Sequence, residues 1–447
     1  MVRVVLIGAG HSNLQALRML HERRSKSPTW GSVEICVISP SDRAWYSGMV
    51  PAIVARLRSA EEGWVDVSTV CRACNAQFIQ GEVVSLNPVQ NTLQYRTVVD
   101  SLGVPAPGVD AGAVHAEIAY DIVSIDIGST TAFSSLVESR RCAILDDSDS
   151  SCPSLVFSTR PIGAVHSVLE QFEQRLAQFV MKRQQQQRMQ LNVVIVGGGN
   201  AALEMSLVLN ARFQKCVREM LRLPSLHTAD AGARSGSSSD GVDVSVRVVF
   251  PGSANNIPYA IAREFKTLGI SVLEHARFIG ISEESNHARV HVRSACNGVG
   301  DAYALRFDVL CLATGPCPHA VQQNLSVPLD DNGWILVNDF LQSPSFPNVF
   351  ASGDCISMLG RTGCPIPKAG VYAVKQGHYI ARNIWHFIHG NGLEAYVPQR
   401  RFMQLICCGN GRAVYAPHPR LQLNNAAIGT LKNWLDDSWI RQFRFKE

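Results

Sequence analysis

A glycine-rich segment near the start of the sequence has the residue types of a phosphate-binding turn. The segment GAGHSN (8–13) directly follows the apolar run VVLI (4–7). Gly8 permits a tight turn after a strand, and Gly10 removes a side chain where backbone must approach a pyrophosphate. A helix that begins here directs its N–H groups and dipole at the same anion. Asn13 stands where a third glycine or alanine is usual. We therefore predict a dinucleotide-binding set of Gly8, Gly10, His11, Ser12 and Asn13.

The same pattern returns in the middle of the chain. The apolar run VVIV (193–196) leads into GGGNAALE (197–204), in which Gly197, Gly199 and Ala202 fill all three positions. This segment is the better match of the two. It predicts that Gly197, Gly199, Asn200 and Ala202 bind a second dinucleotide.

Neither segment is followed by the acidic residue that usually holds the ribose hydroxyls at the end of the next strand. The first unit ends in Ser39-Pro40 and the second in Phe250-Pro251. A serine hydroxyl or backbone groups can replace the acid, and no arginine directly follows Phe250 to bind a 2′-phosphate. The sequence therefore leaves NADH and NADPH open as donors.

The glycine segments are placed between elements typical of βαβ units. Residues 3–7 and 33–39 are short apolar runs, and the residues between them include leucines at helical spacing. A long amphipathic helix is predicted to begin near Ile162, with strands at 191–196 and 244–250. This alternation predicts an α/β fold with two Rossmann-like, three-layer, parallel-sheet dinucleotide-binding domains and a small C-terminal region.

Three further segments indicate a flavoprotein. NVFASGD (348–354) resembles the late FAD motif of two-domain flavoprotein reductases, in which the aspartate binds the ribityl chain. DVLCLATG (308–315) and YDIVSIDIGS (120–129) resemble the strands that end each nucleotide domain in that superfamily, with Asp126-Ile127 where Ala-Thr is usual. The order of all five signals along the chain predicts FAD and NAD(P)H as cofactors.

The order of the segments also predicts the domain boundaries. Residues 1–155 are expected to form the first part of the FAD-binding domain, and 319–392 its second part. Residues 156–318 form the NAD(P)H-binding domain, with an insertion at 223–243 whose Ser, Gly, Ala and Asp content predicts disorder. Residues 393–447 supply a C-terminal region of strands and an amphipathic helix.

Composition excludes several classes of protein. The 447 residues are 46% hydrophobic and 17% charged with a net charge of +4, and no basic tract is interleaved with aromatics, so we expect no nucleic-acid partner. The 13 cysteines are scattered, which favours free thiols in a reducing compartment. The 13 histidines lack metal-ligand spacing, so no metal is expected. With no signal, transit or membrane-spanning segment evident, a cytoplasmic location is predicted.

Segments along nearly the whole chain resemble a narrower family. They are GAGHSN, ISPSDRAWYSGMVPAIVA, YDIVSIDIGS, RPIGAVHSVLEQFE, VVIVGGGNAALE, PKAGVYAVKQG, YVPQRRFMQL and WLDDSWIRQF. They resemble the FAD-dependent pyridine nucleotide-disulfide oxidoreductase-like proteins that occur as an N-terminal module of selenophosphate synthetase (selenide, water dikinase). The wider group includes type II NADH dehydrogenases and apoptosis-inducing-factor-like reductases. We expect the synthetase half to be absent here, so that the module works alone or meets a synthetase in trans.

The resemblance implies positions for the cofactor along the chain. It implies that the turn at 8–13 lies under the FAD pyrophosphate, that Ser39 and Pro40 lie near the adenosine ribose, and that Val83 lies beside the adenine. Asp354 is implied to bind the ribityl chain. The residues implied to border the isoalloxazine are Lys368, Gly370 and Val371, and those also assigned to the cofactor sites are Met49, Gly128, Gly315 and Gly353.

The same resemblance implies hydride transfer from NAD(P)H to flavin and then electron transfer to a quinone or other small acceptor. Glu204 is the one candidate catalytic residue, since its position lies near the nicotinamide in type II NADH dehydrogenases; an orienting role is the alternative. A flavin-binding redox sensor or partner-regulating module with little turnover remains a second hypothesis. A sulfide:quinone-type oxidoreductase that uses Cys364, with Cys355 nearby, is a third.

Two other features have competing interpretations. The spacing of Cys71 and Cys74 is that of a redox pair, but a pair of structural thiols on a helix is favoured, as is a core position for Cys407 and Cys408. Residues 431–443 combine Trp and Leu with Lys and Arg at helical spacing. This helix is expected either to touch a membrane surface or to dock against the chain itself or a second copy in a homodimer.

Overall fold

The structure, a computed structural model, leaves parts of the chain undescribed, among them Cys364 and most of the segment 223–243 that was predicted to be disordered. Strand structure begins at Val242, so residues 242 and 243 belong to a strand and the predicted end of this segment is wrong. The described residues are 1–24, 33–97, 115–133, 154–182, 189–222, 242–284, 287–294, 302–358, 365–399, 402–418 and 421–445.

The helices and strands alternate along most of the described chain. The α-helices are, in chain order, α1 (His11–Arg24), α2 (Val50–Val54), α3 (Val67–Ala73), α4 (Ile162–Lys182), α5 (Asn200–Arg222), α6 (Tyr259–Leu268), α7 (Gly370–Ile388) and α8 (Ala426–Arg441). The strands before α4 are β1 (Val2–Ile7), β2 (Val33–Ser39), β3 (Arg43–Trp45), β4 (Trp64–Asp66), β5 (Gln77–Asn87), β6 (Thr92–Thr97), β7 (His115–Ala119), β8 (Ile122–Ile125), β9 (Thr130–Thr131) and β10 (Leu155–Ser158).

The remaining strands supply one strand of the first sheet, most of the second sheet and several smaller sheets. Up to residue 312 they are β11 (Met189–Val196), β12 (Val242–Val249), β13 (Ser271–Leu273), β14 (Ala276–Glu284), β15 (His287–Ser294), β16 (Ala302–Arg306) and β17 (Val309–Leu312). After it they are β18 (Pro316–Cys317), β19 (Ile335–Leu336), β20 (Val349–Ala351), β21 (Ile356–Ser357), β22 (Leu405–Cys407), β23 (Ala413–His418) and β24 (Leu421–Asn425).

The first sheet has the strand order β20-β8-β1-β2-β5-β6-β7. It is parallel from β20 to β5 and antiparallel beyond. Residues 4–7 of β1 are fully buried because helices and strands cover both faces of this central strand. The glycine turn that follows β1 therefore lies at the carboxyl edge of the sheet, where open α/β sheets bind their ligands.

The second sheet is entirely parallel, with the order β10-β17-β11-β12-β13. Alternate residues of β11 enter different cores, as the period of a strand requires. Val193 and Ile195 pack in one core with residues of α4 and α5. Val194 and Val196 pack in the other with residues of the antiparallel sheet β14-β15-β16. The two Rossmann-like units confirm the predicted three-layer α/β fold.

A buried ion network joins the two units. The Arg212 guanidinium of α5 is fully buried and donates two hydrogen bonds of 2.8 Å to Glu173 of α4. It also donates to the carbonyl oxygen of Val54 on α2, at 3.1 Å. Arg56, just after α2, pairs with the same Glu173 and with Glu219 of α5. The helix that begins at the second glycine turn is thereby fixed to the first unit.

The C-terminal region consists of the antiparallel sheet β22-β23-β24 and helix α8. The Asn425 side chain caps α8 by accepting a hydrogen bond of 2.9 Å from the N–H of Ile428. The helix therefore begins five residues before the predicted 431–443 segment and ends at Arg441.

The two faces of α8 differ in exposure. Trp439 and Ile440 are buried against the first unit, so docking against the chain itself is confirmed for this face. On the other face Leu431, Trp434 and Leu435 remain 37%, 56% and 37% exposed. No helix in the described part of the chain is long and apolar enough to cross a membrane.

Candidate functional site

The first glycine turn leaves no room for side chains. Gly8 has a φ of +84°, and a Cβ atom there would lie 2.3 Å from the Asp126 carbonyl oxygen. Its N–H donates to the carbonyl of Ile38 at 2.8 Å, which ties the turn to β2. Glycine is required at this position by both the backbone angle and the close approach of β8.

The N-terminus of α1 is occupied by a carboxylate of the chain itself. Asp126 Oδ2 accepts hydrogen bonds from the backbone N–H groups of Ser12 and Asn13, at 2.8 and 3.1 Å. A Cβ on Gly10 would lie 2.3 Å from the same oxygen. This is the anion position that the sequence assigned to a pyrophosphate. The donors thus fit a phosphate oxygen in chemistry, and a carboxylate takes its place here.

Asn13, in the third position of the glycine pattern, has a structural role. Its amide nitrogen donates to the carbonyls of Ile7, Gly8 and Ser124 at 3.0, 2.9 and 3.2 Å. Its amide oxygen accepts from the Ser124 hydroxyl at 2.7 Å. The side chain therefore locks α1 to β1 and β8, and only its backbone N–H faces the anion position.

The late GD motif lies beside this position. Gly353 has a φ of +74°, and a Cβ there would lie 2.3 Å from Asp126 Oδ1. Asp354, expected to bind the ribityl chain, forms an ion pair of 2.8 Å with Arg160 and is 3.4 Å from the Ser129 hydroxyl. Burial raises the pKa of Asp354, against the opposing charge of Arg160. The sequence indicated Arg160 only through its place in the RPIG segment.

The isoalloxazine position predicted around Lys368 is assembled from distant parts of the chain. Lys368 Nζ donates to the carbonyl of Ile356 and lies 4.0 Å from the centre of the Trp334 ring. Burial lowers the pKa of Lys368. A Cβ on Gly370, where α7 begins, would approach the Ser47 hydroxyl oxygen at 3.1 Å.

Three aromatic rings stand next to the start of α7. Tyr46 and Trp439 stack with ring centres 4.5 Å apart, and His11 lies 4.8 Å from Trp439. The His11 Nε2 atom is buried and has no hydrogen-bond partner among the described residues. Burial lowers the pKa of His11 to about 4. His11 is therefore neutral at physiological pH, with a ring nitrogen able to bind a polar group that reaches it.

The second glycine turn differs from the first because its helix start is open. Gly197 has a φ of +154° and a Cβ there would lie 2.2 Å from the carbonyl oxygen of Ala313. Ala202 is fully buried beneath the turn. Gly199 and Asn200 are exposed, and a Cβ on Gly199 would meet nothing within 4 Å. The start of α5 therefore presents exposed residues at a helix N-terminus, a type of position that can bind anions.

Glu204 belongs to a network of charged side chains. Its carboxylate accepts a hydrogen bond of 2.7 Å from the N–H of Cys407. Desolvation raises the pKa of Glu204 to about 7, opposed by the charge of Lys432. Lys432 pairs with Asp436 at 2.9 Å and donates to the carbonyl of Gly48.

The network extends to the aromatic rings. The Tyr46 and Asp436 side chains interact, and burial together with the Asp436 carboxylate raises the pKa of Tyr46. Lys432 and Asp436 are 7% and 5% exposed. The sequence analysis missed both, although their spacing of four residues on the apolar side of an amphipathic helix was a usable signal.

The remaining predicted cofactor residues differ in their exposure and surroundings. Ser39, Val83 and Met49 are buried, at 7%, 7% and 1% exposure, and Met49 lies in the core of the first unit. Nothing lies within 4 Å of a Cβ on Gly128 or Gly315. Pro40 is exposed and Val371 is partly buried in the first turn of α7.

The described cysteines are free, and burial favours the thiol form of several of them. Burial raises the pKa of Cys355, Cys71 and Cys74 to about 12 and that of Cys407 to about 11. Because the thiolate is the reactive form, these side chains are poor nucleophiles. In the described part of the chain, no group of three or more His, Cys, Asp or Glu side chains is placed to hold a metal ion.

Comparison with known proteins identifies the family of the chain. Residues 2–377 match the family described as pyridine nucleotide-disulphide oxidoreductase. The type II NADH:quinone oxidoreductase of Haemophilus influenzae is 22% identical over 336 residues, which cover 71% of this chain and 66% of that protein. The chain spans less than two thirds of each of the first curated relatives that it matches.

Two solved structures share the fold over almost the whole chain. NDH2 from Plasmodium falciparum in complex with NADH has a TM-score of 0.68 at 14% identity, covering 99% of this chain and 100% of that one. The sulfide:quinone oxidoreductase of Aquifex aeolicus has a TM-score of 0.68 at 15% identity, covering 99% and 92%.

Proposed function

The chain belongs to the pyridine nucleotide-disulphide oxidoreductase family, and from this premise we propose that it is an FAD-dependent NAD(P)H oxidoreductase. It passes a hydride from NAD(P)H to flavin and electrons onward to a quinone or another small acceptor. FAD supplies the hydride-accepting chemistry when bound, and the protein supplies binding, orientation and protons. The relatives and neighbours named for NADH and quinone support this assignment.

The observation that carries the proposal is the open start of α5. Gly199 and Asn200 are exposed at a helix N-terminus that follows a tight glycine turn, with unfilled space in front of it. Such a terminus binds the pyrophosphate of a dinucleotide through backbone N–H groups. Glu204 lies one helical turn further along α5, so a bound nicotinamide nucleotide and the Glu204 network belong to one region.

Glu204 is proposed as a proton donor to the electron acceptor. A quinone that receives the equivalent of a hydride needs one more proton to become a hydroquinone. A carboxyl group with a pKa of about 7 is suited to deliver it near neutral pH. Protons are proposed to reach Glu204 along the polar side chains of α8. These are Lys432 and Asp436, which interact with each other and with Tyr46.

The acceptor is proposed to arrive beside α8. Leu431, Trp434 and Leu435 form an exposed apolar patch on this helix, while the opposite face carries the Glu204 network. An amphipathic helix of this kind can rest on a membrane surface, where quinones are dissolved. We propose peripheral membrane contact through this patch.

Selenophosphate synthetase in trans is a further proposed partner. It is supported by the segments GAGHSN, YSGMVP and PKAGVYAVKQG, which resemble the module fused to that synthetase. Copurification of the two proteins from a mixture of separately purified chains tests this proposal.

A homodimer is also proposed, and sedimentation of the chain alone tests it.

An anaerobic absorbance titration of the purified chain with NADH and NADPH tests the main proposal. Rapid bleaching of the flavin band, followed by recovery on addition of a quinone, is the expected result, and the effective nucleotide identifies the donor. Bound flavin that neither nucleotide reduces would contradict it. Bleaching by sulfide instead would support the third hypothesis, and bleaching over many minutes would support the redox sensor.

A further inference from the structure

We propose that Asp126 is an internal competitor of the FAD pyrophosphate, so that FAD binds only when this carboxylate is neutralised or moved. The inference rests on the proposed flavin function and concerns a residue that has no place in the usual nucleotide turn. Its basis is the position of the Asp126 side chain, which lies between the first glycine turn, the start of α1 and the late GD motif. Asp126 sets how tightly, and at which pH, the chain takes up FAD.

The geometry shows that the carboxylate fills the anion position. Both backbone N–H groups at the start of α1 are hydrogen-bonded to the same oxygen, Asp126 Oδ2. The two glycines that should let a pyrophosphate approach, Gly10 and Gly353, each have their Cβ position 2.3 Å from an Asp126 oxygen. A phosphate that binds these two N–H groups therefore has to displace the Asp126 carboxyl group from them. Neutralisation of Asp126 makes this displacement easier, because an uncharged acceptor forms weaker hydrogen bonds than a carboxylate.

The surroundings of Asp126 do not favour a second negative charge. The side chain is 3% exposed, and the ionisable groups that interact with it are the carboxylate of Asp354 and the buried thiol of Cys355. The nearby cations Arg160 and Lys368 are engaged with Asp354 and the Ile356 carbonyl. Burial, with a smaller contribution from Asp354, raises the pKa of Asp126 to about 7, although the two N–H bonds act to lower it.

The charge balance gives the direction of the pH effect. Above about pH 7 the free chain holds Asp126 as a carboxylate, and a bound pyrophosphate beside it raises the pKa of Asp126 further. FAD binding then takes up one proton. The dissociation constant for FAD is therefore expected to rise by up to tenfold per pH unit above about 7 and to be nearly constant below it.

The test is FAD binding by the full chain, freed of flavin, between pH 6 and 9. Binding is followed by quenching of flavin fluorescence, and proton uptake by pH change in weakly buffered solution. Asp126→Asn keeps an acceptor oxygen without the charge, and Asp126→Ala removes the group. Asp121→Asn is the matched control, since Asp121 precedes the same strand and its carboxylate accepts from the exposed Arg3 N–H.

Four results distinguish this inference from the proposed function. A pH-dependent affinity in the natural chain that becomes flat and tighter in both Asp126 variants, with proton uptake lost, supports the inference. Equal affinity and slope in the natural chain and the variants overturn it while the flavin function stands. If neither the natural chain nor any variant binds FAD at any pH, the proposed function fails and the inference fails with it. Binding by the variants alone supports the inference and removes the flavin function from the natural chain.

Discussion

The carboxylate of Glu204 accepts a hydrogen bond of 2.7 Å from the backbone N–H of Cys407. The bond joins the second turn of α5 to β22 and brings the C-terminal region to the helix that begins at the nucleotide turn. A single side chain thus connects the proposed donor site with the part of the chain proposed to meet the acceptor.

Glu204→Gln is expected to slow reoxidation of the flavin by quinone on the order of 10²-fold, because a general acid contributes at least this much. Its reduction by NAD(P)H should change little. In the natural chain the reoxidation rate should fall as pH rises through about 7, since only the protonated acid donates. Stopped-flow measurement of both half-reactions checks this. Glu170→Gln, which alters an exposed carboxylate, is the control, and an unchanged pH profile in Glu204→Gln would refute the role.

Gly199→Asp is expected to raise the KM for NAD(P)H by about tenfold or more. The new side chain enters open space, so the fold should be retained, but its carboxylate repels the nucleotide phosphates by roughly 1–4 kcal/mol at 4 Å. Steady-state kinetics provide the measurement. Gly392→Asp also enters open space, away from the turn, and should leave the KM unchanged; an equal effect of both variants would rule out a local role.

Arg212→Met is expected to lower the free energy of unfolding by about 3–5 kcal/mol, because Glu173 then remains buried with only part of its compensation. The surface pair of Arg3 and Glu34, both more than two fifths exposed, offers a comparison: Arg3→Met should cost about 1 kcal/mol or less. Urea denaturation of both variants decides the matter. If both variants lost a similar free energy of unfolding, burial of the Arg212–Glu173 pair would not increase its contribution to stability.

Replacement of Leu431, Trp434 and Leu435 by serine is expected to abolish binding to vesicles of phosphatidylethanolamine and phosphatidylglycerol. Stability should change little, because the patch is exposed. Vesicle flotation measures the binding. Leu421→Ser, at a residue that is 50% exposed on β24, should bind as the natural chain does. Unaltered flotation of the triple variant would exclude the patch as a membrane contact.

Local patterns predicted the elements that carry the site. The run of buried residues in β1, the glycines after it and the helix at α1 are consecutive in sequence, so short-range physics determines them. The long helix from Ile162 was predicted for the same reason. The start of α8 was missed because the prediction followed the tryptophan and leucine spacing and not the cap supplied by Asn425.

The contacts that define the chemistry were beyond such patterns. Asp126 was noticed as a departure from the usual Ala, but its contact with Ser12 spans 114 positions in the chain. The ion pair of Arg160 with Asp354 spans 194 positions. Neither can be inferred from periodicity, because each depends on how separate strands and loops meet at one edge of a sheet.

The buried pairing of Arg212 with Glu173 and the Val54 carbonyl has a consequence for motion. A hinge motion between the two nucleotide domains would have to break this network. The buried charges of Arg212 and Glu173 would then lose part of the hydrogen bonds that compensate them. We therefore expect the distance between the domains to stay constant throughout turnover. The nucleotide should enter and leave at the exposed start of α5, without opening and closing of the domains. Solvent viscosity should then affect the rate only through diffusion of the substrates.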